Sequence, residues 1–409
     1  MINLRMLRVA DRSLFISVFF LIVVGFVMIA SSTYFAELKA GRDALFYIKR
    51  QINAALLGLI LMSFAAYIDY RRLKSFAPFL YVLMLILLAA GHFFGVAAQG
   101  AQRWLTLGSI SFQPSEVAKL FMIITLASYF DIRKERSNII VPLLMTAIPF
   151  FLVFKQPDLG TALVIAALAF GMLVWNRYSP LILTMVATPF LSIFLRHNLY
   201  LWIFYIIVLW LMLYLSRVKL LDTIIIMSLN IGAGIAFPII WGMLKGYQQM
   251  RILAFLNPGL DPHGMGYHTL QSKIAIGAGG LLGEGLFRGS QTQLQFIPIQ
   301  HSDFIFSAIG EELGLIGSIF VLSLFLNIIW RALILAQEAE DYFGSILAAG
   351  IAIFIGFHTF VNIGMTLGLL PVVGIPLPFV SYGGTSLVIN MTAIGILQSI
   401  AMRRQKLIF

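Results

Sequence analysis

Residues 13–32 read SLFISVFFLIVVGFVMIASS, twenty positions without one charged side chain. A helix needs about 17–25 apolar residues to cross the hydrocarbon of a bilayer, and this run meets that length. Working outward, eleven more apolar runs lie near 52–69, 77–97, 115–131, 138–154, 160–176, 179–195, 199–216, 221–244, 304–331, 343–368 and 384–402. The sequence therefore predicts an all-α fold, a polytopic transmembrane helix bundle of about twelve spans. Composition agrees. The chain has 409 residues, 60% hydrophobic and 11% charged, where a soluble domain carries about 25% charged residues. Too few charges remain to clothe a soluble enzyme, a nucleic-acid binder or a disordered scaffold.

The net charge of +11 does not point to nucleic acid, because most basic residues sit at the ends of apolar runs and set topology. Arg5, Arg8 and Arg12 precede the first run, and Arg71, Arg72 and Lys74 follow the second. Arg133, Lys134 and Arg136 follow the fourth, Arg217 and Lys219 the eighth, and Arg403, Arg404 and Lys406 close the chain. With twelve spans all of these fall on one side, which the positive-inside rule makes cytoplasmic. Both termini are then cytoplasmic. Lys39, Arg42, Lys49 and Arg50 in the first outer loop are the exception. The first run is expected to stay as a helix rather than be cleaved as a signal peptide. Cysteine is absent, which removes disulfides, thiolate metal sites and cysteine nucleophiles.

The stretch 245–303 falls outside the membrane. Nine glycines occupy 259–289, interleaved with Ile274, Ile276, Leu281, Leu282, Phe287 and Phe296. That is too apolar for a solvated linker, and long loops of this kind are usually functional or disordered. Irregular backbone at membrane depth survives when buried in protein or facing a water-filled cavity. The segment is therefore expected to be partly re-entrant and to line a cavity open to the outside.

Charged groups inside spans are functional candidates by default. Glu116 and Lys119 in PSEVAKL lie three residues apart, close enough to pair on one helical face; the pair either locks two helices or presents an ammonium to an anionic ligand. Asp158 in KQPDLGTAL stands where an N-cap belongs. Glu311 and Glu312 in GEELGLIG fall one turn inside a span, and at least one must face the protein. Outside, Arg103 and Trp104 stand in the loop QRWLTLGSISFQPSE, while Lys245, Arg251, Asp261, Lys273, Arg288, His301 and Asp303 lie in or beside the long loop. Cations with a carboxylate above a membrane cavity suit a lipid-linked substrate carrying phosphate, with the carboxylate as base.

Several chemistries find no support. G-x-x-x-x-G-K-[ST] is missing, GAGGLLGEG does not fit G-x-G-x-x-G, and neither a G-x-S-x-G nor an H-x-x-x-H spacing among the six histidines occurs. No nucleotide cofactor is expected, and no metal ligand is assigned.

The segments RWLTLGSISFQPSEVAKL (103–120), QPDLGTAL (156–163), QMRILAFLNPGLDPHGMGYHTLQSKIAIGAGGLLGEGLFRGSQTQLQFIPIQHSDFIFSAIGEELGLIG (249–317) and NIGMTLGLLPVVGIPLPFVSYGGTSL (362–387) carry a resemblance. Through them the chain is similar to the SEDS family (shape, elongation, division and sporulation proteins). GSQTQLQFIPIQHSDFIF and PVVGIPLPFVSYGG favour its rod-shape branch over its division branch. The resemblance implies a peptidoglycan glycosyltransferase of the bacterial cytoplasmic (inner) membrane. Such an enzyme polymerises lipid II into β-1,4-linked glycan at the outer face, with inversion, during elongation and cell-shape maintenance. It implies that Asp261, in the DP-x-G-x-GY segment, is the essential acid and proposed base, and that Glu116 and Lys119 are functionally important. Arg103 and Asp158 match polar positions around the family's cavity; Lys273, His301, Asp303 and Ser381 match motif positions without an assigned role. A divalent cation (Mg2+ or Mn2+) is an optional aid to the leaving pyrophosphate. The implied partners are lipid II, an activating class B penicillin-binding protein and other elongation-complex membrane proteins, with no nucleic acid.

One departure stands out. The family usually has ten spans, so 179–216 reads as an added helix pair within a single integral-membrane domain, with 245–303 as the extracytoplasmic catalytic loop. Two rivals stay open at this point: a lipid II flippase and a non-catalytic scaffold of the cell-wall machinery.

Overall fold

The computed structural model describes residues 9–98, 101–107, 110–133, 139–256, 265–294, 296 and 300–404. Every apolar run is a helix. In chain order these are α1 (Arg12–Lys39), α2 (Phe46–Tyr67), α3 (Arg71–Phe94), α4 (Pro114–Ile132), α5 (Ile140–Lys155), α6 (Leu159–Trp175), α7 (Pro180–Leu195), α8 (Leu199–Leu215) and α9 (Leu220–Met243). The long loop supplies α10 (Gly246–Leu256), α11 (Met265–Ala278) and the four-residue α12 (Ser290–Gln293), before α13 (Ile305–Glu338), α14 (Tyr342–Thr366) and α15 (Gly384–Arg403). Helices α2 and α3 begin six residues before their apolar runs. Their first turns carry Lys49 and Arg50, and Arg71, Arg72 and Lys74, whose long stems let charged heads reach the interface. Seven helices, α1, α2, α3, α9, α13, α14 and α15, are long and apolar enough to cross a membrane. Helices α5 to α8 are shorter, at 16 or 17 residues. The chain is a multi-pass membrane protein.

The fold is not wholly helical. Val96 and Ala97, read above as the end of the third apolar run, and the loop that follows hold three short strands, β1 (Val96–Ala98), β2 (Ala101–Leu107) and β3 (Ile110–Phe112), paired antiparallel in that order. Arg103 and Trp104 therefore stand on a strand, not in a loop.

The main bundle is built around α4, α14 and α15, most of whose residues are buried. Helix α15 packs on α2, α13 on α14 and α1, and α4 on α3. Asp11 shows how polar groups lock this bundle. Its carboxylate caps α1 at Leu14 N (3.1 Å) and accepts from Arg331 Nε of α13 (2.7 Å). Gln398 of α15 exchanges two hydrogen bonds with its backbone.

Helix α9 packs against α7 and α8, and α7 joins the main bundle through α6. This three-helix unit has its own small core of Leu209, Leu213 and Ile226. It also has its own polar network. Asn230 donates to Thr188 Oγ1, Tyr205 donates to Asn230 Oδ1, and Trp202 Nε1 donates to Ser192 Oγ at 2.9, 2.9 and 2.8 Å. In lipid such interhelical hydrogen bonds hold helices that the hydrophobic effect cannot.

The glycine-rich turn 277–285 has a role the sequence did not suggest. Helix α13 is broken at Gly314 (φ 68°, ψ −164°), and the turn is laced into the break. Glu284 N and Gly285 N donate to the carbonyls of Glu311 and Glu312, while Leu315 N and Ile316 N donate to those of Gly280 and Leu281, all at 2.9–3.2 Å. The backbone groups freed by the break are thus satisfied inside the protein, as a membrane requires. Two buried carboxylates complete the clasp. Glu311 accepts from Ser290 Oγ, Gln291 N, Thr292 N and Thr292 Oγ1, and Glu312 accepts from Ser31 Oγ of α1 at 2.6 Å. Both glutamates face the protein.

Only glycine fits at 283, where φ is +82° and an added Cβ would fall on the carbonyl of Glu312. Gly283→Ala should destabilise by roughly 2–4 kcal/mol, adding backbone strain to overpacking. A thermal melt in detergent at the wild-type midpoint would refute the clasp.

Candidate active site

Four helix N-termini meet at one end of the main bundle, and short side-chain bonds tie them together. Gln113, just before α4, donates from Nε2 to Ser115 Oγ (2.9 Å) and to Asp158 Oδ2 (3.0 Å), and its backbone N–H reaches Thr385 Oγ1 at the start of α15 (3.3 Å). Asp158 is the N-cap of α6, accepting from Thr161 N (3.1 Å) and Thr161 Oγ1 (3.0 Å). Ser381 donates to Ser302 O (2.6 Å) and accepts from Leu377 N (2.9 Å), which pins the loop before α13 to the loop before α15. Asn362 of α14 donates to Asp303 O and Ile375 O (2.9 and 2.7 Å). Gln51 of α2 brackets the same turn, donating to Ser381 O and accepting from Gly383 N. Helix N-termini carry partial positive charge and free N–H groups, so their convergence favours an anionic ligand.

Beneath them lies the buried pair. Lys119 Nζ is 2.7 Å from Glu116 Oε1, and both residues are almost fully buried (1% and 4% exposed). The second partner of Lys119 is His358 of α14, with Nε2 at 3.0 Å. The ring of Phe354 stands 5.4 Å from the ammonium. Glu116 Oε2 is buried without a hydrogen-bond partner. The spacing had suggested the Glu116 contact; His358 it had not.

The other candidates divide. The His301 ring lies 4.6 Å from that of Tyr47 and 5.5 Å from that of Tyr382. Burial pushes its pKa down to about 4, which favours the neutral ring at pH 7. Asp303 accepts from Ser302 Oγ (2.9 Å), and its carboxylate and the Arg251 guanidinium both come within 4 Å of where a side chain on Gly374 would begin. Lys273 of α11 lies over Gly368, just past the C-terminus of α14, where a cation complements the helix dipole. Asp261, the expected base, lies outside the described residues, between α10 and α11. Of Arg103 only the backbone, in β2, is described.

The pattern of the cell cycle protein family (FtsW, RodA, SpoVE) matches residues 11–179 and 175–406. The peptidoglycan glycosyltransferase MrdB of Escherichia coli (strain K12) is 37% identical over 363 residues, 88% of this chain and 86% of that protein. A chain from a peptidoglycan synthase complex, solved for its structural coordination of polymerization and crosslinking, superposes with a TM-score of 0.71. It shares 27% identity and covers 97% of this chain and 98% of its own. The rod shape determining protein RodA of Thermus thermophilus gives a TM-score of 0.63 at 25% identity, over 97% and 98% of the two chains. With the family pattern matched from residue 11 to residue 406 and a relative 37% identical over 88% of its length, the chain belongs to the SEDS family of FtsW, RodA and SpoVE.

Proposed function

We propose that this chain is a peptidoglycan glycosyltransferase that polymerises lipid II at the outer face of the bacterial cytoplasmic membrane. One observation carries the reading: a buried ammonium, Lys119, lies beneath four converging helix N-termini in a chain that matches a peptidoglycan glycosyltransferase over 88% of its length. The substrate holds its sugar on an α-linked pyrophosphate, and a β-1,4 product requires inversion at the anomeric carbon. A single displacement accomplishes this. Asp261 takes the proton of the acceptor's 4-hydroxyl, that oxygen bonds to the anomeric carbon, and the bond to the pyrophosphate breaks with its electron pair leaving on phosphate. Lys119, with Arg103, offsets the departing charge. Lys273, whose side chain lies over Gly368 at the end of α14, is a weaker candidate for that role.

A divalent cation belongs to this proposal only as an aid. Among the described residues no three His, Asp or Glu side chains gather to hold one; Mg2+ needs only one or two carboxylates besides substrate phosphates. No step above depends on it. A class B penicillin-binding protein is the proposed partner, by analogy with the synthase complex that the fold matches. Both termini are proposed to be cytoplasmic, the segment 245–303 to be the outer catalytic loop, and 179–216 to be an added pair.

Among the described residues, the break in α13 is a feature that favours a flippase, since transporters build ion sites from discontinuous helices. Here the opened backbone groups are taken up by the 277–285 turn, which leaves them unavailable to cargo. The test uses purified protein with a class B penicillin-binding protein whose transpeptidase is blocked, incubated with labelled lipid II. Glycan ladders are expected. Their absence with partner binding confirmed would transfer the weight to lipid II translocation, measured next in vesicles.

A further inference from the structure

We infer that His358 is a positioning residue for Lys119, a neutral acceptor that fixes the buried ammonium without cancelling its charge. The inference rests on the glycosyltransferase reading for its function, but its geometry is independent of it. His358 Nδ1 lies 2.9 Å from Phe354 O, one turn back on α14. A carbonyl oxygen only accepts, so the hydrogen-bond network assigns the proton to Nδ1 and leaves Nε2 with a lone pair. That lone pair faces Lys119 Nζ at 3.0 Å. The bond to Phe354 O also stops the ring from swinging, so the acceptor is rigid.

The choice of side chain matters for charge. Glu116 already supplies one negative charge to the ammonium at 2.7 Å. A second carboxylate at 358 would make the buried cluster net negative and repel a pyrophosphate. An apolar residue would leave a second N–H of the ammonium without a partner, and the flexible four-carbon stem of lysine would be held from its own helix alone. Imidazole holds the head from the facing helix and leaves the pair neutral. An ammonium has three donors; Glu116 and His358 occupy two, in directions set by α4 and α14, and this aims the third.

A plain helix-to-helix hydrogen bond would also place His358 here, and the two roles separate in a double-mutant cycle. The reference background is Glu116→Gln/Lys119→Met, which removes both charges together and leaves no unpaired carboxylate. Two quantities are read: lipid II polymerisation, as kcat and KM, and binding of undecaprenyl pyrophosphate by tryptophan fluorescence. In the otherwise wild-type chain, His358→Leu should lower kcat about tenfold to hundredfold, the range for a lost hydrogen bond to a charged group. His358→Gln, whose amide oxygen can accept, should recover most of it. In the charge-free background, where little polymerisation is left to lose, the binding readout decides, and His358→Leu should change it by less than about twofold. Equal losses in both backgrounds, or a His358→Leu enzyme that turns over like wild type, would overturn the inference. A wild-type chain that makes no polymer would instead defeat the glycosyltransferase reading, and the binding arm would then decide the role of His358 alone.

Discussion

Asp261→Ala should abolish glycan polymerisation in a protein that still folds. A positioned general base contributes about 10²–10⁴ in rate, so labelled lipid II should give at most about a hundredth of the wild-type product. Asp261→Asn should fall as far, because it keeps the shape and loses the proton acceptor. Folding should survive because the flanking helices are held elsewhere. Helix α10 is tied by Tyr247 and Gln248 to the Pro157 carbonyl, at 3.1 and 3.3 Å, and α11 by Ser272 to Thr366 O at 2.7 Å. The comparison to make is ladder intensity beside the thermal melt in detergent. A mutant with a wild-type melt that keeps a tenth or more of the activity would remove Asp261 from the mechanism and send the search for a base to Asp303. A collapsed melt would make the segment structural instead.

Much of the fold was legible because a bilayer allows so few solutions: long apolar runs must be helices, and all twelve are. The errors came where charge or brevity hid the element. Lys49, Arg50 and Arg71 looked like loop residues, yet they belong to first turns. The strands of 96–112 are hard to read because β1 and β3 have three residues each and only Leu105-Thr106-Leu107 of β2 alternates, although the Gly-Ser at 108–109 between β2 and β3 is a hairpin signal. In GEELGLIG nothing announces that Gly314 breaks the helix, since the residues around it are good helix formers and the cause is a turn thirty residues upstream.

The site was legible to the same degree. Contacts within one helix or at its cap, Glu116 with Lys119 and Asp158 with Thr161, follow from spacing alone. The contact of His358 is not legible from local spacing, because its partner lies 239 positions away. Its signal was a polar side chain inside a span, which is costly unless paired. His301 matches a motif position without a role in the sequence, and the structure adds its packing between the rings of Tyr47 and Tyr382.

Glu116→Ala should cost stability as well as activity. Removing one partner of a buried ion pair leaves an uncompensated charge, typically at about 3–5 kcal/mol. Here the remaining acceptor, His358, is neutral. Glu116→Gln should cost less, since its amide oxygen can still accept from Lys119. The double change Glu116→Gln/Lys119→Met should be more stable than Glu116→Ala, because burying no charge is cheaper than burying one. Activity should run differently: Glu116→Gln retains an ammonium at the site, whereas the double variant has none and should polymerise least among the variants that fold. Thermal melts and ladder assays on the same three preparations therefore give two different rank orders. If the melts instead followed the activities, the pair would be acting only as a lock between helices, and Lys119 would lose its place opposite the pyrophosphate.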